Sequence, residues 1–139
     1  GILISDLTPE EYRHLQLDLE LDTIFLVAPT SSESRLEKIA DAARGFIYLV
    51  ARTGVTGERT DTSTTVPEMV KKLRKLTAVP IAAGFGITNA SDIQQVWKYA
   101  DGAIIGTAIT RFLLEHQGDK NLMQLFDKFL VENIVPDQR

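Results

Sequence analysis

Five short, nearly unbroken apolar runs punctuate this chain, and they leave few folds open to it. The runs are Ile2–Ser5, Thr23–Ala28, Phe46–Ala51, Val79–Ala83 and Gly102–Gly106. None alternates polar with apolar residues, so each reads as a strand covered on both faces, as in a parallel sheet. Parallel neighbours need crossover connections, and the intervening stretches carry the spacing of amphipathic helices.

The helices can be placed residue by residue. Thr8 precedes a helix over roughly Pro9 to Leu17, opened by Glu10 and Glu11, which suit the positive end of its dipole. Ser31 or Ser32 caps the next, whose apolar positions Leu36, Ile39, Ala40 and Ala43 fall at i, i+3, i+4 and i+7. Pro67 suits the first turn of a third, with Val70, Leu73 and Leu76 on one stripe. Asn89 is a good N-cap for a fourth that turns Ile93, Val96, Trp97 and Ala100 inward. A last helix, about Asn121 to Glu132, is expected to bury Leu122, Leu125, Phe126 and Phe129.

Five β/α units in series make an open doubly wound sheet or part of a (β/α)8 TIM barrel. A complete barrel takes about 250 residues, and the chain has 139. The expectation is therefore a single domain over residues 1–139 whose five units make little more than half of a barrel. The opening Gly1-Ile2-Leu3-Ile4-Ser5-Asp6 begins inside a strand without an initiator Met, which fits truncation of a longer protein.

Composition narrows the function classes. An apolar fraction of 44% and a mean hydropathy of −0.02 fit a globular protein with a real core. A net charge of −4 argues against a nucleic-acid surface, and no apolar run is long enough to cross a bilayer. Cysteine is absent, which removes disulfide and thiolate chemistry and fits a reducing cytoplasm.

In either architecture the chemistry lies in the loops after the strands. Three of them carry glycines: Arg52-Thr53-Gly54-Val55-Thr56-Gly57, Gly84-Phe85-Gly86-Ile87-Thr88 and Gly106-Thr107-Ala108. Glycine admits an anion close to the backbone, and a following helix N-terminus offers free N–H groups. A phosphate held mainly by main-chain amides is expected, with the Thr107 hydroxyl assisting and no lysine in these segments. The polar stretch Thr53 to Thr65, with Gly54 and Gly57 as hinges, suits a mobile lid. Asp6 ends the first strand, and Tyr48 sits on a central one. His14 and His116 read as solvated, and the Asp18, Glu20, Asp22 group as polar surface, not a metal site. No Ser-His-Asp set, P-loop or dinucleotide fingerprint is present.

Four segments together resemble the tryptophan synthase alpha subunit family. They are Asp22-Thr23-Ile24-Phe25-Leu26-Val27-Ala28-Pro29-Thr30, Gly45-Phe46-Ile47-Tyr48 running into Arg52–Gly57, Pro80–Ile87, and Asp101–Ala108. The resemblance implies a lyase that cleaves indole-3-glycerol phosphate to indole and glyceraldehyde 3-phosphate in tryptophan biosynthesis, with the first strand here being the family's fourth and the five units the C-terminal five of the barrel. It implies phosphate contacts from Gly57, Gly86, Gly106 and Thr107 with Phe85 beside them, and a pocket role for Tyr48. It makes Thr56 the lid threonine that bonds a catalytic aspartate on closure, and Asp6 part of a loop facing a beta subunit in an α2β2 assembly. The family usually has proline where this chain has Thr8, so the Asp6 assignment is the least direct. No cofactor or metal is implied for this subunit; pyridoxal phosphate is expected only in the beta subunit. The family's catalytic glutamate and aspartate match no position here, so the isolated chain is expected to bind phosphate without turnover. A non-catalytic phosphate-binding half-barrel and another phosphate-binding TIM-barrel enzyme are the alternatives that the residues alone leave open.

Overall fold

A computed structural model describes residues 1–15, 20–50, 62–84 and 86–135. Its strands are β1 (Ile2–Leu3), β2 (Thr23–Val27), β3 (Ile47–Val50), β4 (Ile81–Gly84) and β5 (Gly102–Ala103), all parallel, in the order β1-β2-β3-β4-β5. A doubly wound sheet would reverse direction at a switch point. Strands laid down strictly in chain order are instead the wall of a barrel. Each strand falls on an expected run, though several are shorter.

The helices are α1 (Pro9–Leu15), α2 (Glu33–Ala42), α3 (Thr62–Leu76), α4 (Ala90–Val96), α5 (Thr107–Glu115) and α6 (Leu122–Phe129), the last running on through a π-helical turn, Leu130–Ile134. α1 opens on a reciprocal cap. The Thr8 N–H and hydroxyl donate to a Glu11 carboxylate oxygen at 2.9 and 2.7 Å, and the Glu11 N–H donates back to the Thr8 hydroxyl at 3.2 Å. Ser32, not Ser31, caps α2, accepting from the Arg35 N–H; Ser31 instead accepts from the Ala28 N–H at 3.1 Å and closes the β2–α2 turn.

The core lies between the sheet and the helices. Phe25, Val27, Ile47, Leu49, Ile81 and Ala83 point from β2, β3 and β4 into a layer that includes Leu36 and Ile39 of α2 and Leu73 of α3. Side chains alternate across a strand, so the residues between them face the other way. Register aligns Leu26, Tyr48, Ala82 and Gly102 in one row on that opposite, barrel-interior face. Thr23 faces the helix side and is 1% exposed, and its hydroxyl finds no hydrogen-bond partner among the described residues.

Several expectations need correction. α3 starts at Thr62, so Pro67 sits well inside it and the end of the expected lid stretch is helical. Its buried stripe is Val66, Met69, Val70 and Leu73, while Leu76 is 42% exposed beyond the end of the core. Trp97 caps the C-terminus of α4 instead of facing inward and is 53% exposed; Ile93, Val96 and Ala100 are buried as expected. α6 buries none of its residues fully: Phe129, with Leu130 after it, packs half-buried against the core, and Ile134 beyond it is buried there. His116 is half-buried, not solvated: its ring stacks on Phe112 at 4.2 Å, and its Nδ1 lies 2.9 Å from the Phe112 carbonyl oxygen.

Candidate functional site

The two ends of the strands are built differently. At the N-terminal ends, an Asp101 carboxylate oxygen accepts from the Ile81 N–H at 2.7 Å and pairs with Arg74 of α3, tying the starts of β4 and β5 to one helix. The Arg74 contact and the Ile81 bond hold the Asp101 carboxyl below its ordinary range. This cluster is a structural fastening. The C-terminal ends carry the open loops.

Tyr48 is half-buried on the interior face, at the centre of the sheet. Its ring lies across Gly84: a β-carbon built on Gly84 would stand 2.9 Å from Tyr48 Cε2, Tyr48 Oη and Ile104 Cβ alike. The side chains of β3 and of the segment after β5 thus meet over a glycine of β4. Sequence reasoning assigned Gly84 to a loop motif and missed this contact, which only register exposes.

The segment after β4 is held by Asp92. One carboxylate oxygen accepts the Thr88 N–H at 2.8 Å and the Thr88 hydroxyl at 2.9 Å, and the Asp92 N–H donates to Asn89 Oδ1 at 3.1 Å. The Thr88 N–H is the main reason the Asp92 carboxyl is lowered; burial opposes it, and the Thr88 hydroxyl and a backbone bond at Asn89 add to it. Gly86 stands just ahead of this clasp with φ +51, a left-handed conformation that glycine adopts freely. Nothing lies within 4 Å of where its β-carbon would be.

The segment after β5 leads into α5, a helix the sequence had not separated from the last one. A barrel of this kind often holds phosphate at the loops after its last two strands and the N-terminus of a short extra helix. α5 occupies that place, ahead of α6. Its N-cap is Gly106, which has no side chain to bond the first-turn N–H groups and has open space at its β-carbon position. Those N–H groups lack intrahelical partners by geometry. Thr107 is the exposed first residue of α5 and lines a cleft of about 180 Å³ with Thr88, Ala108, Arg111 and Phe112. The cleft brings the β4 and β5 loops together. Arg111, one helical turn from Thr107, was missed, although the i, i+4 spacing was there to read.

Other expected positions stand apart or out of view. Gly86 lines a different cleft, with Ile87, Asp92 and Tyr99. Asp6 is exposed in the turn after β1, in a shallow groove of about 370 Å³ shared with Ile4, Leu7, Glu11 and His14. Thr56, Gly57 and Phe85, with most of the expected lid, lie outside the described residues. Among the described residues, no group of three or more His, Asp or Glu side chains is placed to hold a metal ion, and no helix is long and apolar enough to cross a membrane.

The sequence model of the tryptophan synthase alpha chain family matches residues 1–133. The chain belongs to this family. It is 46% identical over 118 residues to the tryptophan synthase alpha chain of Picosynechococcus, covering 81% of this chain and 44% of that one. The alpha chain of Geotalea uraniireducens is 42% identical over 123 residues, covering 86% and 46%. Among solved structures, tryptophan synthase of Mycobacterium tuberculosis superposes with a TM-score of 0.74 at 34% identity over 91% of this chain and 48% of that chain. The alpha subunit from Campylobacter jejuni gives 0.73 at 34% identity over 88% and 50%. The chain spans about half the length of the curated relatives it matches. Its parallel wall is part of the family's TIM barrel.

Proposed function

We propose that this chain is the phosphate-gripping part of a tryptophan synthase alpha chain, a cytoplasmic carbon–carbon lyase acting on indole-3-glycerol phosphate. The observation that carries the reading is the open, side-chain-free space at Gly86 and Gly106, on consecutive strand-end loops of a chain belonging to this family.

On this reading, the α5 N-terminus receives the phosphate. The N–H groups following Gly106 donate to its oxygens, the helix dipole favours its charge, and the Thr107 hydroxyl adds a bond. Gly86 and Gly57 bring the other loops' backbones against the same group, with Phe85 alongside. Tyr48, held across Gly84, flanks the indole end of the substrate. Thr56 closes with the lid onto a catalytic aspartate.

Cleavage breaks the bond between the indole ring and the glycerol chain. A proton must leave a glycerol hydroxyl and another must reach the ring carbon, tasks for positioned carboxyl groups. The glutamate and aspartate that do this in the family match no residue of this chain, so its part is binding and orientation. Asp6 faces a beta chain in an α2β2 assembly, and pyridoxal phosphate belongs to that partner.

Titration of the chain with glyceraldehyde 3-phosphate tests the reading. Gly106→Asp, which sets a carboxylate where the anion should lie, is expected to abolish binding; unchanged affinity refutes the assignment. Cleavage of indole-3-glycerol phosphate by these 139 residues alone would refute the claim that the acid–base groups lie elsewhere.

A further inference from the structure

Arg111 follows Thr107 by four residues in α5, so the two side chains stand one above the other on a single face of the helix. Side chains on a helix lean toward its N-terminus. That carries the long Arg111 chain back over Thr107 and away from Glu115, one turn farther on. All three line the cleft of about 180 Å³ that also takes in Thr88. The cleft is therefore graded along α5. Free N–H groups and a hydroxyl stand at the Gly106 end, a cation in the middle and a carboxylate beyond it. An anion is repelled from Glu115 and drawn to the end nearer Thr107.

The cation has no other call on it among the described residues. Arg13, Lys38, Lys72, Arg74 and Lys128 each pair with a carboxylate, whereas Arg111 is exposed and enters none of these ion pairs. The first turn of α5 carries no acidic residue to offset it. The segments Gly84–Thr88 and Gly106–Ala108, for their part, hold no Lys or Arg. Their main-chain dipoles supply only partial charge, and of the residues described around the cleft Arg111 alone adds a full one.

The geometry points to Arg111 as a further binding residue, its guanidinium folding back along α5 to close over a phosphate held at the amides after Gly106. A guanidinium presents paired N–H donors in one plane, a match for two phosphate oxygens. The inference rests on the reading that the phosphate sits at the α5 N-terminus, and it adds a side chain from outside the glycine motifs.

Titration of the full chain with glyceraldehyde 3-phosphate, at low and at high salt, tests it. Arg111→Gln should weaken binding about fivefold at low salt, the upper range for an exposed ion pair, and the loss should shrink as salt rises. Arg111→Lys, which keeps the charge without the planar fork, should recover at least half of the loss. Lys98→Gln removes an equal charge beyond the C-terminal end of α4, away from the strand-end loops, and should change affinity less than twofold. Circular dichroism checks that each variant folds, as expected for exposed positions. Equal losses in Arg111→Gln and Lys98→Gln would reduce the effect to net charge and overturn the proposal. So would an Arg111→Lys chain as weak as Arg111→Gln. Binding by Gly106→Asp as tight as the parent's refutes the phosphate reading itself. Loss of binding in Gly106→Asp, with Arg111→Gln within twofold of the parent, leaves that reading standing and refutes the role of Arg111 alone.

Discussion

Replacing Gly84 by alanine is expected to displace Tyr48 and to destabilise the chain out of proportion to one methyl group. The new carbon would stand 2.9 Å from Ile104 Cβ, Tyr48 Cε2 and Tyr48 Oη, where carbon contacts settle near 3.5–4.0 Å. Ile104 Cβ cannot rotate away, because it is fixed to the backbone, and the Ile104 N–H donates to the Ala83 carbonyl at 2.9 Å. The tyrosine ring must therefore give. Overpacking of this kind costs about 1–3 kcal/mol. With a urea slope of about 1–3 kcal/mol per molar, the unfolding midpoint should fall by roughly 1 M. Far-UV circular dichroism is the suitable probe, since Trp97 is half exposed and reports poorly on the core. Tyr48→Leu opens the space beside the new methyl, so Gly84→Ala should cost less in that background, with a coupling of about 0.5 kcal/mol or more. Strict additivity of the two changes, or a Gly84→Ala chain as stable as the parent, would refute the argument.

Three further outcomes are expected. Thr23→Val removes a buried hydroxyl that has no partner among the described residues, while keeping its shape, and should stabilise the chain by about 1 kcal/mol in urea unfolding. Asn89→Ala strips the cap of α4 and should cost about 1 kcal/mol in the same assay. Asp92 has its carboxyl lowered on folding, so its contribution is complete above the unfolded-state value near 3.9 and is lost as pH falls through its lower folded value. In Asp92→Asn, stability should therefore depend less steeply on pH below about 4, measured by acid titration of the far-UV signal.

The sheet was legible because parallel strands covered on both faces leave unbroken apolar runs, and all five fell where such runs stand. The Asn89 cap and the inward face of Leu36, Ile39 and Ala43 were legible for the same local reason. What escaped depends on neighbours. Trp97 has the spacing of a buried residue, yet α4 ends there and its side chain is left 53% exposed, although Val96 and Ala100 on either side are buried. His116 looked isolated in sequence and is paired only because α5 brings Phe112 one turn before it. A helix was expected to follow the Gly106-Thr107-Ala108 motif, but its bounds were not legible, because the glycine and threonine mark the turn more clearly than the helix start. The candidate site shows the same division. Its glycines could be read one loop at a time, but the joining of Thr88 and Thr107 in one cleft, and of Tyr48 with Gly84, is set by register between strands.

Strand order has a kinetic consequence. Each strand pairs with the next one along the chain, so no pairing among the described strands requires a loop longer than a single β/α unit to close. The entropic cost of assembly is spread over short closures, each of which adds to a sheet already formed.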